Sequence, residues 1–212
     1  MSNKKIIKCF SVFFLLISSV CFSQRAVEKI YTSEGITLID IDAEHVFQVK
    51  LSTHSAKNVE VKTIFNGEYQ NEFVNTTKED GTTLFIGVAQ QPLFTNPNDK
   101  LSAHKVVSVA LEIIVPAYKD VRVLGVYTEI SAEGNYTNLE TSTASGMLFF
   151  NSINADLVKG KTQSGDILIE NSAGNFQAIS KYGTVEEGKQ VFGNTKFELN
   201  SVSGDIYINN IE

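Results

Sequence analysis

The chain has no tryptophan, three prolines, three histidines and two cysteines in 212 residues. Both cysteines, Cys9 and Cys21, fall in the N-terminal segment. A chain that loses that segment has no thiol, so neither disulfides nor thiolate–metal bonds can hold it together. The histidines, His45, His54 and His104, stand in no metal-ligand spacing. No Gly-x-Ser-x-Gly motif or phosphate loop occurs, and no histidine lies near the Ser-Gly pairs to act as base. The expected catalytic, metal and cofactor residues are therefore none. Positive charge is also scarce, with 18 Lys and Arg against 24 Asp and Glu. That balance disfavours nucleic acid or an anionic membrane surface as partner.

The one strongly apolar stretch is at the start. Lys4, Lys5 and Lys8 precede the apolar run from Phe10 to Ile17, which is too short to span a bilayer. Cys21-Phe22-Ser23 supplies small residues for cleavage before Gln24. Residues 1–23 thus read as a signal peptide, and the product as exported, periplasmic or secreted. Lipid anchoring through Cys21 is the weaker alternative, because Ser18 and Val20 stand where a Leu and a small residue are wanted. Losing three lysines leaves 15 basic against 24 acidic residues, a net charge of −9.

The last third repeats. Ser145-Gly146-Met147-Leu148, Ser164-Gly165-Asp166-Ile167, Tyr182-Gly183-Thr184-Val185 and Ser203-Gly204-Asp205-Ile206 share one frame, with a fainter copy at Tyr127-Thr128-Glu129-Ile130. Steps of 18, 19, 18 and 21 residues separate the five central positions. Seven residues before the centre stand Val121, Leu139, Val158, Phe176 and Phe197; two after it stand Ile130, Leu148, Ile167, Val185 and Ile206. Three before it the residues are small: Gly125, Thr143, Thr162, Ser180 and Ser201. Each unit therefore reads as strand, corner, strand, loop, with apolar residues inward at alternate positions. The expected fold is all-β, a single-domain β-solenoid over 24–212 with coils of 18–21 residues, in which like columns stack into ladders. Gly146, Gly165, Gly183 and Gly204 are expected at positive-φ corners, with Asp166 and Asp205 as turn residues.

Residues 26–116 lack the repeat but alternate in strand fashion, with Lys78-Glu79-Asp80-Gly81 as a hairpin turn and 89–105 as a long loop. They are expected to begin the stack with irregular coils that cap its N-terminal end, before the regular repeats of 117–212. The opposite edge is then the strand Ile206-Tyr207-Ile208.

Leu111-Glu112-Ile113-Ile114-Val115-Pro116, followed by Ser-Gly-Asp-Ile repeats, resembles the adhesin families of unknown function in bacteria, notably the head-GIN-domain type. The resemblance covers roughly residues 26–212. It implies a β-solenoid serving as an exported, non-catalytic module of the cell envelope, binding an unknown envelope protein or polysaccharide. The outward strip Phe149, Leu168 and Tyr207 is the expected contact surface, and Phe150 is expected in the core. The alternative is a carbohydrate-active enzyme using Glu129, Asp166 and Asp205, which a sequential stack sets two coils, about 9–10 Å, apart. The outer residues Arg122, Glu140, Lys159, Gln177 and Glu198 complete a polar face.

Overall fold

The computed structural model describes residues 25–67, 73–91, 107–189 and 191–209. The signal segment, both cysteines, His104 and most of the expected 89–105 loop lie outside the described residues. Within them the protein is all-β, with two sheets. The first sheet holds β1 (Arg25–Thr32), β3 (Gln48–His54), β4 (Asn58–Gly67), β7 (Val107–Pro116), β9 (Glu129–Asn135), β11 (Leu148–Asn154), β13 (Ile167–Glu170), β15 (Val185–Glu187) and β17 (Ile206–Asn209). The second holds β2 (Leu38–Ala43), β5 (Phe73–Asp80), β6 (Thr83–Gln90), β8 (Asp120–Gly125), β10 (Asn138–Thr143), β12 (Leu157–Thr162), β14 (Gly174–Ser180) and β16 (Thr195–Ser201).

From β8 onward the chain alternates between the sheets, and each strand pairs in parallel with strands of neighbouring units. The expected columns form ladders. Val121, Leu139, Val158 and Phe197 meet in the second sheet, and Ile130, Leu148, Ile167 and Ile206 in the first, all buried. Phe150 is fully buried, as its register required. A Cβ on Gly160 would lie 3.1 Å from its ring, so the glycine makes room for the aromatic.

The order of units departs from the chain order at both ends. β16–β17 lies between β12–β13 and β14–β15, so the last unit is inserted and the one before it is outermost. The expected edge strand at Ile206-Tyr207-Ile208 is therefore an interior strand. The residues explain the exchange. Core-facing positions of β16–β17 are Phe197, Leu199, Ile206 and Ile208, each 0% exposed. Their counterparts in β14–β15 are Phe176, Ala178, Val185 and Glu187. A carboxylate between two coils would need a partner or a large desolvation cost, so the unit carrying Glu187 is best placed outermost.

At the other end β2–β3 pairs with β8–β9, and β6–β7 lies beyond it. The cap there is antiparallel: β4 on β7, β1 on β4, and β5 on β6 through the turn at Gly81, whose φ is 59°. The irregular half thus extends both core ladders, with Leu84 and Ile39 beside Val121, and Leu111 and Val49 beside Ile130.

The unit order predicts unequal roles for two phenylalanines whose rings stack at 4.6 Å. Phe197→Ala should lower stability by about 3–5 kcal/mol, the usual range for a buried ring. Phe176→Ala, at the partly open end, should lower it by less than half as much in chemical denaturation. Equal losses would contradict the inserted position of β16.

Candidate functional site

The corner glycines form one column, but not for the expected reason. The positive-φ glycines are Gly35, Gly67, Gly81 and Gly134, and none of the four repeat glycines is among them. What excludes a side chain is space. A Cβ on Gly146 would fall 1.8 Å from the carbonyl oxygen of Thr128. On Gly165 it would fall 1.9 Å from that of Gly146, on Gly204 2.0 Å from that of Gly165, and on Gly183 2.5 Å from that of Gly204. Each corner backbone rests directly on the one below.

The small column three residues earlier holds the corner shut. Thr162 Oγ1 accepts the Gly165 N–H at 2.8 Å, Ser201 Oγ that of Gly204 at 2.8 Å, and Ser180 Oγ that of Gly183 at 3.0 Å. The first unit inverts the pair, with Gly125 at the hydroxyl position and Thr128 at the glycine position. A Cβ on Gly125 would lie 2.3 Å from Thr128 Oγ1. Thr128 is fully buried, and its hydroxyl lies 2.9 Å from the Ala43 carbonyl oxygen and 2.7 Å from that of Val46.

The unit order also moves the corner acids. Asp166 and Asp205 are on neighbouring coils, not two coils apart, because β17 lies next to β13. Asp166 Oδ1 accepts the Asp205 N–H at 2.8 Å. Asp205 Oδ1 accepts the Thr184 N–H at 2.6 Å and the Thr184 hydroxyl at 2.9 Å, while Tyr207 donates to Oδ2 at 3.3 Å. The Thr184 backbone N–H, then its hydroxyl, hold the Asp205 carboxyl below the usual range. These carboxylates bond the backbone and hydroxyls of adjacent coils, as turn residues do. No group of three or more His, Cys, Asp or Glu gathers among the described residues in a way that could hold a metal. His54 Nε2 is bonded to the Asn58 carbonyl at 2.7 Å, and the His45 ring packs edge-on to Phe73 at 6.1 Å.

The outer faces differ. On the second sheet one row reads Asp40, Arg122, Glu140, Lys159, Glu198, Gln177. Inserting β16 sets Glu198 beside Lys159 and leaves Gln177 outermost, so the sign alternates over five strands. Arg122 grips the mostly buried Asp40 with two hydrogen bonds, the Nε–Oδ1 one at 3.1 Å. Lys159 and Glu198 stand 3.8 Å apart, and Lys196 and Glu198 2.6 Å.

On the first sheet the central row reads Glu28, Lys62, Glu112, Lys50, Ser131, Phe149, Leu168, Tyr207, Glu186. Phe149, Leu168 and Tyr207 are direct neighbours on β11, β13 and β17, half-buried and facing outward. The row on one side of them is polar, Glu133, Asn151, Glu170 and Asn209; the row on the other holds the exposed Met147 with Asp166 and Asp205. Next to Phe149 the short Ser131 side chain leaves an open groove of about 350 Å³, edged by Lys50, Glu112, Glu133 and Asn151. No motif in the sequence marks this groove, since it exists only because β3 lies between β7 and β9.

No protein-family model matches the sequence, and no curated protein matches it. Among solved structures, the fold is similar to that of a candidate cell adhesion protein from Clostridium sporogenes, with a TM-score of 0.64 and 14% identity over 89% of this chain and 100% of that one. A candidate adhesin from Bacteroides fragilis matches more loosely, at TM-score 0.38 and 12% identity over 89% and 98% of the two chains. A candidate lipid-binding protein from Parabacteroides distasonis does so at TM-score 0.38 and 10% identity, over 90% and 98%. At these identities the first likeness speaks for the fold alone. No helix among the described residues is long and apolar enough to cross a membrane.

Two expectations follow. Because the Gly165 site lacks room rather than φ freedom, Gly165→Ala should destabilise nearly as much as Gly165→Val, by roughly 3 kcal/mol or more. Gly81, with nothing within 4 Å of its Cβ position, should accept Asn with little loss. Thermal unfolding of the three variants checks both. The second concerns acid. A carboxyl lowered on folding stabilises fully above its unfolded value, about 3.9, and loses that contribution as the pH falls through the folded one. Asp205→Asn should therefore flatten the fall in melting temperature below about pH 4; an unchanged acid limb would mean that the Thr184 bonds contribute nothing.

Proposed function

We propose that this chain is an exported, non-catalytic binding module of the cell envelope: a β-solenoid of the adhesin type, resembling the head-GIN families. Its contact surface is the outer face of the first sheet, with Phe149, Leu168 and Tyr207 as an apolar track and the Ser131 groove at one end. The single observation that carries this reading is the contiguity of the three side chains. They occupy adjacent strands in one register, with the exposed Met147 in the row beside Phe149. The ligand such a track suits is an extended envelope polymer, a polysaccharide or a protein segment lying across the strands. The hydrogen bonds that occupy Asp166 and Asp205 support a non-catalytic role.

The test is a triple variant, Phe149→Ser, Leu168→Ser and Tyr207→Ser, beside a control in the other face, Glu140→Gln with Lys159→Gln. Both are sedimented with isolated envelope material and with purified envelope polysaccharide, after circular dichroism confirms that each is folded. The track variant should bind about tenfold more weakly or worse, because buried aromatics dominate contact energies. Undiminished binding by that variant, or equal loss in the control, would remove the first sheet as the contact face.

A further inference from the structure

Three loops meet at one corner of the capped end: residues 33–37 between β1 and β2, 55–57 between β3 and β4, and 117–119 between β7 and β8. They are tied to one another. Ser33 donates its N–H at 3.1 Å and its hydroxyl at 2.9 Å to the Lys57 carbonyl. The Ala117 N–H donates to the His54 carbonyl at 2.9 Å, and the Lys119 ammonium to the Ile36 carbonyl. Between the loops runs a groove of about 610 Å³, within the roughly 300–1,000 Å³ of small-molecule sites. Its walls are fixed before a ligand arrives, so little ordering is left to oppose binding.

Tyr118 lines this groove, with a φ of 64° and 68% of its surface exposed. Both its backbone groups are tied to the next unit. Its N–H donates to the Asn135 carbonyl at 3.0 Å, and its carbonyl accepts the Thr137 hydroxyl at 2.9 Å. Glycine or asparagine would sit in that left-handed conformation with less strain than a bulky side chain. The same position of the next unit holds Tyr136, which is outside the positive-φ region and 2% exposed. One tyrosine fills the core; the other buries little and strains the backbone, so stability does not account for it. Strain of this kind, beside a groove, points to a use for the ring.

The polar groups of the lining decide the ligand. Among the described residues, the Lys57 ammonium and the Glu34 carboxylate have no hydrogen-bond or ion-pair partner. The His54 Nε2–H, by contrast, is spent on the Asn58 carbonyl at 2.7 Å. An anion in the groove would meet Glu34, and a cation would meet Lys57 and Lys119. A hydroxyl donates to a carboxylate and accepts from an ammonium, so a neutral polyol answers both. The C–H face of a sugar ring also packs on an aromatic side chain, which presents an apolar body with a polar tip.

We infer that this groove binds a neutral saccharide, with Tyr118 as the platform and Lys57 and Glu34 holding its hydroxyls. The site shares no residue with the Phe149, Leu168 and Tyr207 track and does not rest on it.

The probes are maltotriose, mannotriose and tri-N-acetylchitotriose, with trigalacturonic acid and spermidine as charged comparisons. Each is titrated to tens of millimolar into the isotope-labelled full chain, while the amides of residues 55–57 and 117–119 are followed by NMR. A neutral trisaccharide should shift these resonances more strongly than either charged probe. Tyr118→Gly should weaken that binding about tenfold or more while leaving the melting temperature unchanged or higher, because it relieves the strain. Lys57→Met and Glu34→Gln should each weaken it several-fold. The triple serine variant of the first-sheet track should bind the trisaccharide as the unaltered chain does. No shift with any neutral trisaccharide, or an equal response to a charged probe, would overturn the proposal. A clear fall in melting temperature for Tyr118→Gly would make the ring structural, and loss of trisaccharide binding in the track variant would place the sugar on the first sheet; either result also overturns it.

Discussion

At the corners of Gly146, Gly165, Gly183 and Gly204, the backbone approaches the neighbouring unit so closely that no Cβ fits between them. Most of the architecture follows from that contact. Parallel strands in register need a constant rise of ~4.8 Å between coils, and a side chain at the corner would wedge adjacent coils apart on one side. Glycine removes the wedge, and the hydroxyl three residues earlier binds the glycine N–H that the turn would otherwise leave without a partner. The inverted first unit shows that the requirement concerns volume and not residue order. Thr128 fills the place left by Gly125 and turns its hydroxyl to the carbonyls of the β2–β3 corner, where Ala43 and Val46 have no hydroxyl to offer. The opposite corner relies on side-chain amides, with Asn154 donating to Asn135 at 3.1 Å and Asn171 to Asn151 at 3.0 Å.

With the rise fixed, the order of units becomes a matter of burial. All units share the corner chemistry, so any two could stack, and the apolar content of each decides its place. An alanine where its neighbour has leucine forgoes a few kcal/mol of burial in the interior, and Glu187 would add the cost of a buried charge. Placing β14–β15 outermost avoids both. The same exchange completes the alternating row from Asp40 to Glu198 on the second sheet. Most of those pairs are exposed and worth ~0–1 kcal/mol each, so they follow the core's preference and do not set it.

The columns were legible in the sequence because period-two alternation and a repeat frame survive any permutation of units. Phe150 inward and Phe149 outward could be read that way, the Lys78–Gly81 turn from its Asp-Gly pair, and the cap over residues 26–116 from the absence of the repeat there. Unit order could not be read from spacing, although Glu187, in the column otherwise filled by Ala132, Phe150, Ile169 and Ile208, was the signal that one unit does not belong inside. The glycine conformation was misread for a physical reason. Positive φ and close approach both select glycine, and a single sequence cannot tell them apart. The Ser131 groove depended on long-range pairing of β3 with β9, which no local pattern encodes.

The two outer faces therefore stand in different energetic positions. On the second sheet the charges are mutually paired, and a ligand would have to break those pairs to reach the surface. On the first sheet the alternation of charge ends at Lys50; Ser131, Phe149, Leu168 and Tyr207 follow with no charge among them until Glu186. Covering that stretch removes apolar area from water without separating an ion pair, and apolar area is worth ~25 cal/mol per Å². In the flanking row on the other side from Asp166 and Asp205 stand the carboxylates of Glu133 and Glu170. Cross-strand packing of Phe149, Leu168 and Tyr207 also contributes to the sheet itself, and the proposed contact falls on the face where covering the surface separates no ion pair.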